Sequence, residues 1–377
     1  MKTSATTSLS RKAVLVLSVA IAALWAVARS GPQKLFHVDF DLERARGWPT
    51  VAVPALEQYT QDSAISPLLV QTLNIESVNG YLVLHVVAAL TGAATLLVAL
   101  YRMTSAPAAG RIQGLRLLLL APIIYLLAKT VGSYDAFTVI AIGLMLLAWQ
   151  ASSRLLMIAT GVIAGLQHFE QMFFALGIIW IVWRYVPSGL PNRLRGSLNP
   201  GWLVTGIVVG KLLLTVFLAA NGASGSPGRL TWLTSPDLTR LSLSGALNHF
   251  PTLLLSFFAG LWGIAALYAI SVWSRKFALV LVGVLAIPIL LSVLAFDHTR
   301  VFVLITLPLL IVAIAATVER YRKADQKRFL AAAEVLAWVI TPLLLFTSPD
   351  GPTFIFDPNV LDQWFMTLTQ IANGGWS

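Results

Sequence analysis

Apolar residues in this chain come in long unbroken runs rather than in alternation. The runs cover 13–28, 81–101, 115–132, 136–150, 153–167, 170–186, 202–220, 250–273, 277–296, 301–318 and 330–347. A membrane strand needs only about ten residues and alternates its faces, so runs of this length and texture predict helices. The expected architecture is an all-α, polytopic membrane helix bundle of about 11 transmembrane helices, with 1–377 forming a single transmembrane domain. Two polar stretches interrupt the pattern. Residues 29–79 mix Asp39, Asp41, Glu43, Glu57, Asp62 and Glu76 with apolar positions and with breaks at Pro32, Pro49, Pro54 and Pro67. That mixture suits short helices lying in the membrane interface. Residues 221–249 begin rich in Gly and Ser and end with Leu238, Leu241, Leu243 and Leu247, which suit a second interfacial helix.

Two segments allow alternatives. Gln167-His168-Phe169-Glu170-Gln171 divides the runs 153–167 and 170–186, and either a tilted pair of spans or one broken, re-entrant segment fits. Residues 1–28 fit a signal peptide closing at Ala26-Val27-Ala28 or an uncleaved first helix, and the uncleaved helix is favoured.

Composition agrees with the runs. Hydrophobic residues make up 57%, charged residues 11%, and the mean hydropathy is +0.80. A soluble domain would carry about 25% charge, so most of the mass belongs in a bilayer. The net charge of +10 sits in short loops between apolar runs, with no basic stripe or interleaved aromatics, which argues against a nucleic-acid partner. It reports orientation instead. Strict alternation gathers Arg102, Arg111, Arg154, Arg184, Arg193, Arg195, Arg275, Lys276 and Arg320 on one side. The N-terminus is therefore expected in the cytoplasm and the C-terminus outside, in an inner (plasma) membrane. The absence of cysteine removes disulfides and thiolate sites. Without a Gly-rich phosphate loop, H-E-x-x-H or G-x-S-x-G, nucleotide-driven and protease chemistry are not expected.

With that orientation the outer face holds 13 of the 16 acids, so candidate chemistry is sought there. Three short turns at helix ends are the densest: Ser133-Tyr134-Asp135, Gln167-His168-Phe169-Glu170 and Asp297-His298-Thr299-Arg300. They are expected to share one pocket beneath the long first loop. The last is the only link between two long apolar runs, and ionisable groups at a membrane boundary mark a functional site by default. Arg300 stands against the positive-inside bias and at a helix start whose dipole disfavours a cation. It requires a negative neighbour, either Asp297 across the turn or an anionic substrate such as a phosphate. Lys129 near the end of its helix is a snorkelling cation or a second anion contact. His168, Glu170, Asp297 and His298 have the residue types of a divalent metal site, but their spacing gives no support, and no cofactor is expected. Lys211, His85 and Glu334 lie deeper in apolar runs and stay unassigned.

This layout resembles the C-type membrane glycosyltransferase fold: a first helix, a long acidic outer loop with interfacial segments, then many helices joined by short turns. It is also similar to the bacterial exopolysaccharide and O-antigen polymerases. The resemblance implies an enzyme of cell-envelope polysaccharide biosynthesis. In it a first-loop carboxylate acts as base, and outer acids and cations hold a polyprenyl-phosphate-linked sugar donor against a glycan or glycolipid acceptor. Asp39 or Asp41 matches the first-loop acid, with Asp135 as a further candidate, and Arg300 or Lys129 matches the phosphate contact. Tyr134, His168, Glu170, Asp297 and His298 are candidate substrate contacts. Two other readings stay open. A transporter or flippase subunit is suggested by Lys211 and Glu334, and a membrane acyl- or phospho-transferase would use His298 or His168.

Overall fold

The computed structural model describes residues 4–30, 38–50, 61–223, 235–295, 298–321, 324–340, 344–348, 351–354, 365–366 and 369. Helices dominate: α1 (Ser4–Ser30), α2 (Val38–Gly47), α3 (Ile65–Thr72), α4 (Val78–Met103), α5 (Ala108–Leu119), α6 (Pro122–Lys129), α7 (Asp135–Gln150) and α8 (Arg154–Tyr185) come first. Then follow α9 (Gly201–Ala220), α10 (Pro236–Asn248), α11 (Phe250–Phe258), α12 (Trp262–Ser271), α13 (Arg275–Val293), α14 (His298–Arg320) and α15 (Ala324–Ile340). One small antiparallel hairpin joins β1 (Leu344–Ser348) to β2 (Gly351–Phe354).

Among the described residues five helical segments are long and apolar enough to cross a membrane, which suggests a membrane protein: α4, α8, α9, the stretch Phe250–Ser271 and α14. A sixth is added if α5 and α6, bent by 50°, count as one span. The expected eleven are not reproduced, because composition does not report where a helix breaks. The run 115–132 breaks before Pro122, whose ring nitrogen cannot donate to the helix ladder. The run 136–150 stays a 16-residue helix. The run 330–347 holds a helix to Ile340 and the strand β1 from Leu344. The short helices expected in the first polar loop do form, as α2 and α3.

The centre of the bundle is α14, on which every residue from Val301 to Glu319 is buried. A helix apolar all round and enclosed all round is held by its neighbours, not by a solvent-facing stripe. It runs between two distinct ends of the molecule. Arg300 marks one, here called the Asp135 end, and Glu319 marks the other.

Helix α8 touches both ends. Just before its start, Trp149 Nε1 donates to the Leu198 carbonyl at 3.0 Å and Gln150 Nε2 to the Ala99 carbonyl at 2.9 Å. Just after its finish, Val186 packs with Tyr268, Phe277 and Ala316. The Asn192 amide then reaches Glu319 at 2.9 Å. Start and finish therefore share the Glu319 end. The turning point is His168, whose φ of −152° and ψ of 76° are not helical, and it lies at the Asp135 end. The segment 153–186 is thus one helix folded into two arms. Breaking a helix leaves backbone carbonyls without their i+4 donors. Here the Ala64 amide takes the Leu166 carbonyl at 2.9 Å and the Ser63 hydroxyl takes the Gln167 carbonyl at 2.7 Å.

The first arm of α8 lies parallel to α9 through a paired glycine seam. Gly161 and Gly165 on one helix meet Gly206 and Gly210 on the other, two G-x-x-x-G repeats in register. A Cβ on Gly165 would fall 2.2 Å from the Ile207 carbonyl oxygen, and one on Gly206 would fall 2.2 Å from that of Ile158. In a lipid environment apolar burial drives helix association only weakly, so such close backbone contact is what holds the two helices.

Candidate functional site

The Asp135 end is built around the turn Gly132-Ser133-Tyr134. Three successive carbonyls of that turn are each held by a side chain from elsewhere. The Tyr81 hydroxyl donates to Gly132 at 3.2 Å, His85 Nδ1 lies 3.0 Å from the Ser133 oxygen, and Gln167 Nε2 donates to Tyr134 at 3.0 Å. A carbonyl can only accept, so His85 carries its proton on Nδ1 and its Nε2 accepts from the Ser66 hydroxyl at 3.1 Å. Buried backbone oxygens need such partners, and here the partners fix the direction in which α7 begins.

Asp135 is the first residue of α7, where the helix dipole favours an acid. It is 3% exposed. Its Oδ2 stands 3.5 Å from Arg300 Nε. That distance makes an ion pair but exceeds a well-formed hydrogen bond. Among the described residues the negative neighbour of Arg300 is Asp135, from a helix far away in sequence. One turn into α7, the Thr138 hydroxyl and His168 Nδ1 are 2.9 Å apart. The three turns singled out in the sequence thus meet: Asp135, Gln167 with His168, and Arg300.

Gln167 has one further feature. It is fully buried, and its Oε1 has no hydrogen-bond partner among the described residues. An unpaired buried acceptor costs about 1–3 kcal/mol, and its lone pairs have capacity for one more hydroxyl donor.

The first polar loop closes over this end. Trp48 stacks on Phe217 of α9 with ring centres 5.2 Å apart, and its Nε1 donates to the Gln61 carbonyl at 3.1 Å. Asp62 Oδ1 pairs with Lys211 Nζ at 2.9 Å. Lys211 therefore belongs to this end and holds loop to helix. On α2, Asp41 lies 3.8 Å from the buried Arg44, while Asp39 is exposed. Helix α2 packs with Val70, Tyr81 and Leu82, beside Val131, and neither Asp39 nor Asp41 has a described contact to Asp135.

Other expected site residues go elsewhere. His298 is buried with Nδ1 2.6 Å from the Ser292 carbonyl, on the α13 side. Glu170 is half-buried and forms no ion pair among the described residues. Tyr134 is used through its carbonyl, its ring being buried near His85. Asp297 and the Lys129 side chain lie outside the described residues. Among the described residues no three His, Asp or Glu side chains come together as metal ligands. His85, Ser63, Ser66 and Thr138 were not anticipated as parts of this end; only His85, an imidazole deep in an apolar run, carried a signal. Glu334 is held by Arg116 through two hydrogen bonds of 2.6 and 3.1 Å, with Gln113 adding a third at 2.8 Å.

Compared with known proteins, the chain matches no family model, no curated protein and no solved structure.

Proposed function

We propose that the Asp135 end is the active site of a membrane glycosyltransferase or polysaccharide polymerase. It would transfer a sugar from a polyprenyl-phosphate-linked donor to a hydroxyl acceptor at the outer membrane surface. The observation that carries this reading is the juxtaposition of a buried carboxylate and a guanidinium at 3.5 Å, beside an amide acceptor without a partner among the described residues. Asp135 takes the proton from the acceptor hydroxyl as its oxygen bonds to the sugar carbon. The bond from that carbon to the phosphate oxygen breaks, and its electron pair leaves on the phosphate, which Arg300 stabilises. Gln167 Oε1 accepts from a sugar hydroxyl, and Asp39 and Asp41 remain the alternative first-loop bases. The residues that pointed to a transporter have structural partners, Lys211 in Asp62 and Glu334 in Arg116.

The test measures surface-glycan product at matched expression for Asp135→Asn, Arg300→Gln, Gln167→Leu, Asp41→Asn and Asp39→Asn. Loss in the first three supports the reading. Full product from both Asp135→Asn and Arg300→Gln refutes it. Loss confined to Asp41 or Asp39 moves the base into the first loop.

A further inference from the structure

Away from the candidate site, the second arm of α8 and helices α12, α13 and α14 line a half-open apolar cavity of about 210 Å³. Val182, Trp262, Ala265, Phe277, Val284 and Leu310 are among its walls. It exceeds the roughly 150 Å³ apolar cavity that stays dry and takes up benzene, and an apolar void of this size is costly to leave empty. The flank beside it is apolar and open: Ile270, Trp273 and Val282 are 66%, 67% and 68% exposed. Walls and surroundings of this kind reward a hydrocarbon chain and nothing more polar.

The Glu319 end of the cavity is different. Tyr268 lines it, is 4% exposed, and its hydroxyl has no hydrogen-bond partner among the described residues. The Arg320 guanidinium lies 5.9 Å from the Tyr268 ring centre. It donates to the Ser271 hydroxyl at 2.6 Å and to the Ser188 carbonyl. Arg195 Nη2 donates to that same carbonyl at 3.3 Å. Two guanidinium groups thus converge on one neutral oxygen, and neither is ion-paired with a described residue. The neighbouring Glu319 is engaged by the Ser105 and Asn192 amides instead. Like charges brought together repel unless an anion joins them, and a guanidinium fork matches phosphate oxygens in geometry.

We propose that this is a binding site for one anionic phospholipid of the surrounding bilayer. A hydrocarbon chain fills the cavity between α12 and α14, and the phosphate rests on Arg320 and Arg195 with the Tyr268 hydroxyl donating to it. Basic pockets between membrane helices are a recurrent way of holding such headgroups. The proposal requires the helices to lie in a membrane and is independent of the transferase reading.

The experiment uses the full chain purified in neutral detergent. Phosphatidylglycerol, phosphatidylcholine or inorganic phosphate is added, with retained lipid counted by native mass spectrometry and the melting temperature followed. The expected result is one phosphatidylglycerol held per chain, about tenfold more tightly than phosphatidylcholine, with a raised melting temperature that inorganic phosphate does not reproduce. Tyr268→Phe and Arg320→Gln should abolish the preference between the two lipids. Ala265→Phe, which fills the cavity without touching the charged rim, should abolish retention of both lipids while the protein stays folded. That variant keeps the test decisive if Arg320→Gln fails to fold. Equal retention of the two lipids, the same stabilisation from phosphate alone, or unchanged retention by Ala265→Phe would each overturn the proposal.

Discussion

The two ends of the bundle treat their carboxylates in opposite ways. At the Glu319 end both oxygens of the acid are occupied, by the Ser105 amide at 2.5 Å and hydroxyl at 2.9 Å and by the Asn192 amide at 2.9 Å. Those bonds tie the loop after α4 to the loop after α8 and onto the last turn of α14. At the Asp135 end the acid meets its cation only at 3.5 Å, and Asp135 Oδ2 accepts no hydrogen bond among the described residues. Both acids are nearly enclosed, at 8% and 3% exposure, so burial does not separate them. What separates them is saturation. A fully bonded carboxylate is spent on holding the fold, whereas an under-bonded one retains capacity for a substrate.

The largest effect should come from removing what joins the two ends. Gly165→Leu puts side-chain atoms where the Ile207 carbonyl already stands, 2.2 Å from the ideal Cβ position. The clash is with backbone, so it cannot relax by a rotamer change, and a cost beyond about 3 kcal/mol is expected. Folded protein recovered in detergent should fall sharply. Gly177→Ala, on the other arm and with nothing within 4 Å, should behave as wild type. Equal recovery of the two variants would contradict the parallel seam between α8 and α9.

Next in size is Asp135→Asn, which keeps the shape and removes the charge. Under the proposed transferase reading, loss of a positioned base lowers rate by roughly 10²–10⁴-fold. Stability should change by less than about 1 kcal/mol, because the asparagine oxygen can still face Arg300, 3.5 Å away, and no strong hydrogen bond is lost. Glu319→Gln should show the inverse: stability lowered by about 1–3 kcal/mol, as one oxygen becomes an amide facing a backbone donor, with product per folded molecule unchanged. The pair is read by glycan output and by thermal unfolding on the same preparations. If Asp135→Asn destabilises as much as Glu319→Gln, the contrast between the ends is lost.

How much of this was legible beforehand depended on the range of the interaction. Helical class follows from the length of the apolar runs, and the three polar turns stood out because ionisable groups at helix ends are rare in such a composition. The contacts of Asp135, Gln167, His168 and Arg300 place these turns at one end of the bundle, whichever side of a membrane that end faces. The number of spans differs from the eleven expected because the apolar run 115–132 is broken just before Pro122 and the run 330–347 holds a strand from Leu344. The glycine seam was readable as two G-x-x-x-G repeats, but each repeat alone is weak and only the structure pairs them. Neither His85 nor Lys211 could be assigned, since each answers to a partner remote in sequence: the Ser133 carbonyl and the Asp62 carboxylate.

The Lys211–Asp62 pair is the counterpart at the Asp135 end of the clamp that Glu319 makes at the other. Lys211 is 24% and Asp62 9% exposed at the side chain, with 2.9 Å between charged atoms. Lys211→Met keeps the aliphatic stem beside Phe169 and removes the ammonium from the buried Asp62 carboxylate, so it should destabilise by about 1–3 kcal/mol. Asp62→Asn in the same background removes the carboxylate charge that Lys211 met and should recover part of that loss. A double-mutant cycle on unfolding free energy isolates the coupling. Additive effects would mean that the pair does not hold the first loop to α9. Coupling of about 1 kcal/mol or more, with glycan output falling alongside it, would mean that closure of the loop over the Asp135 end is set by this bond.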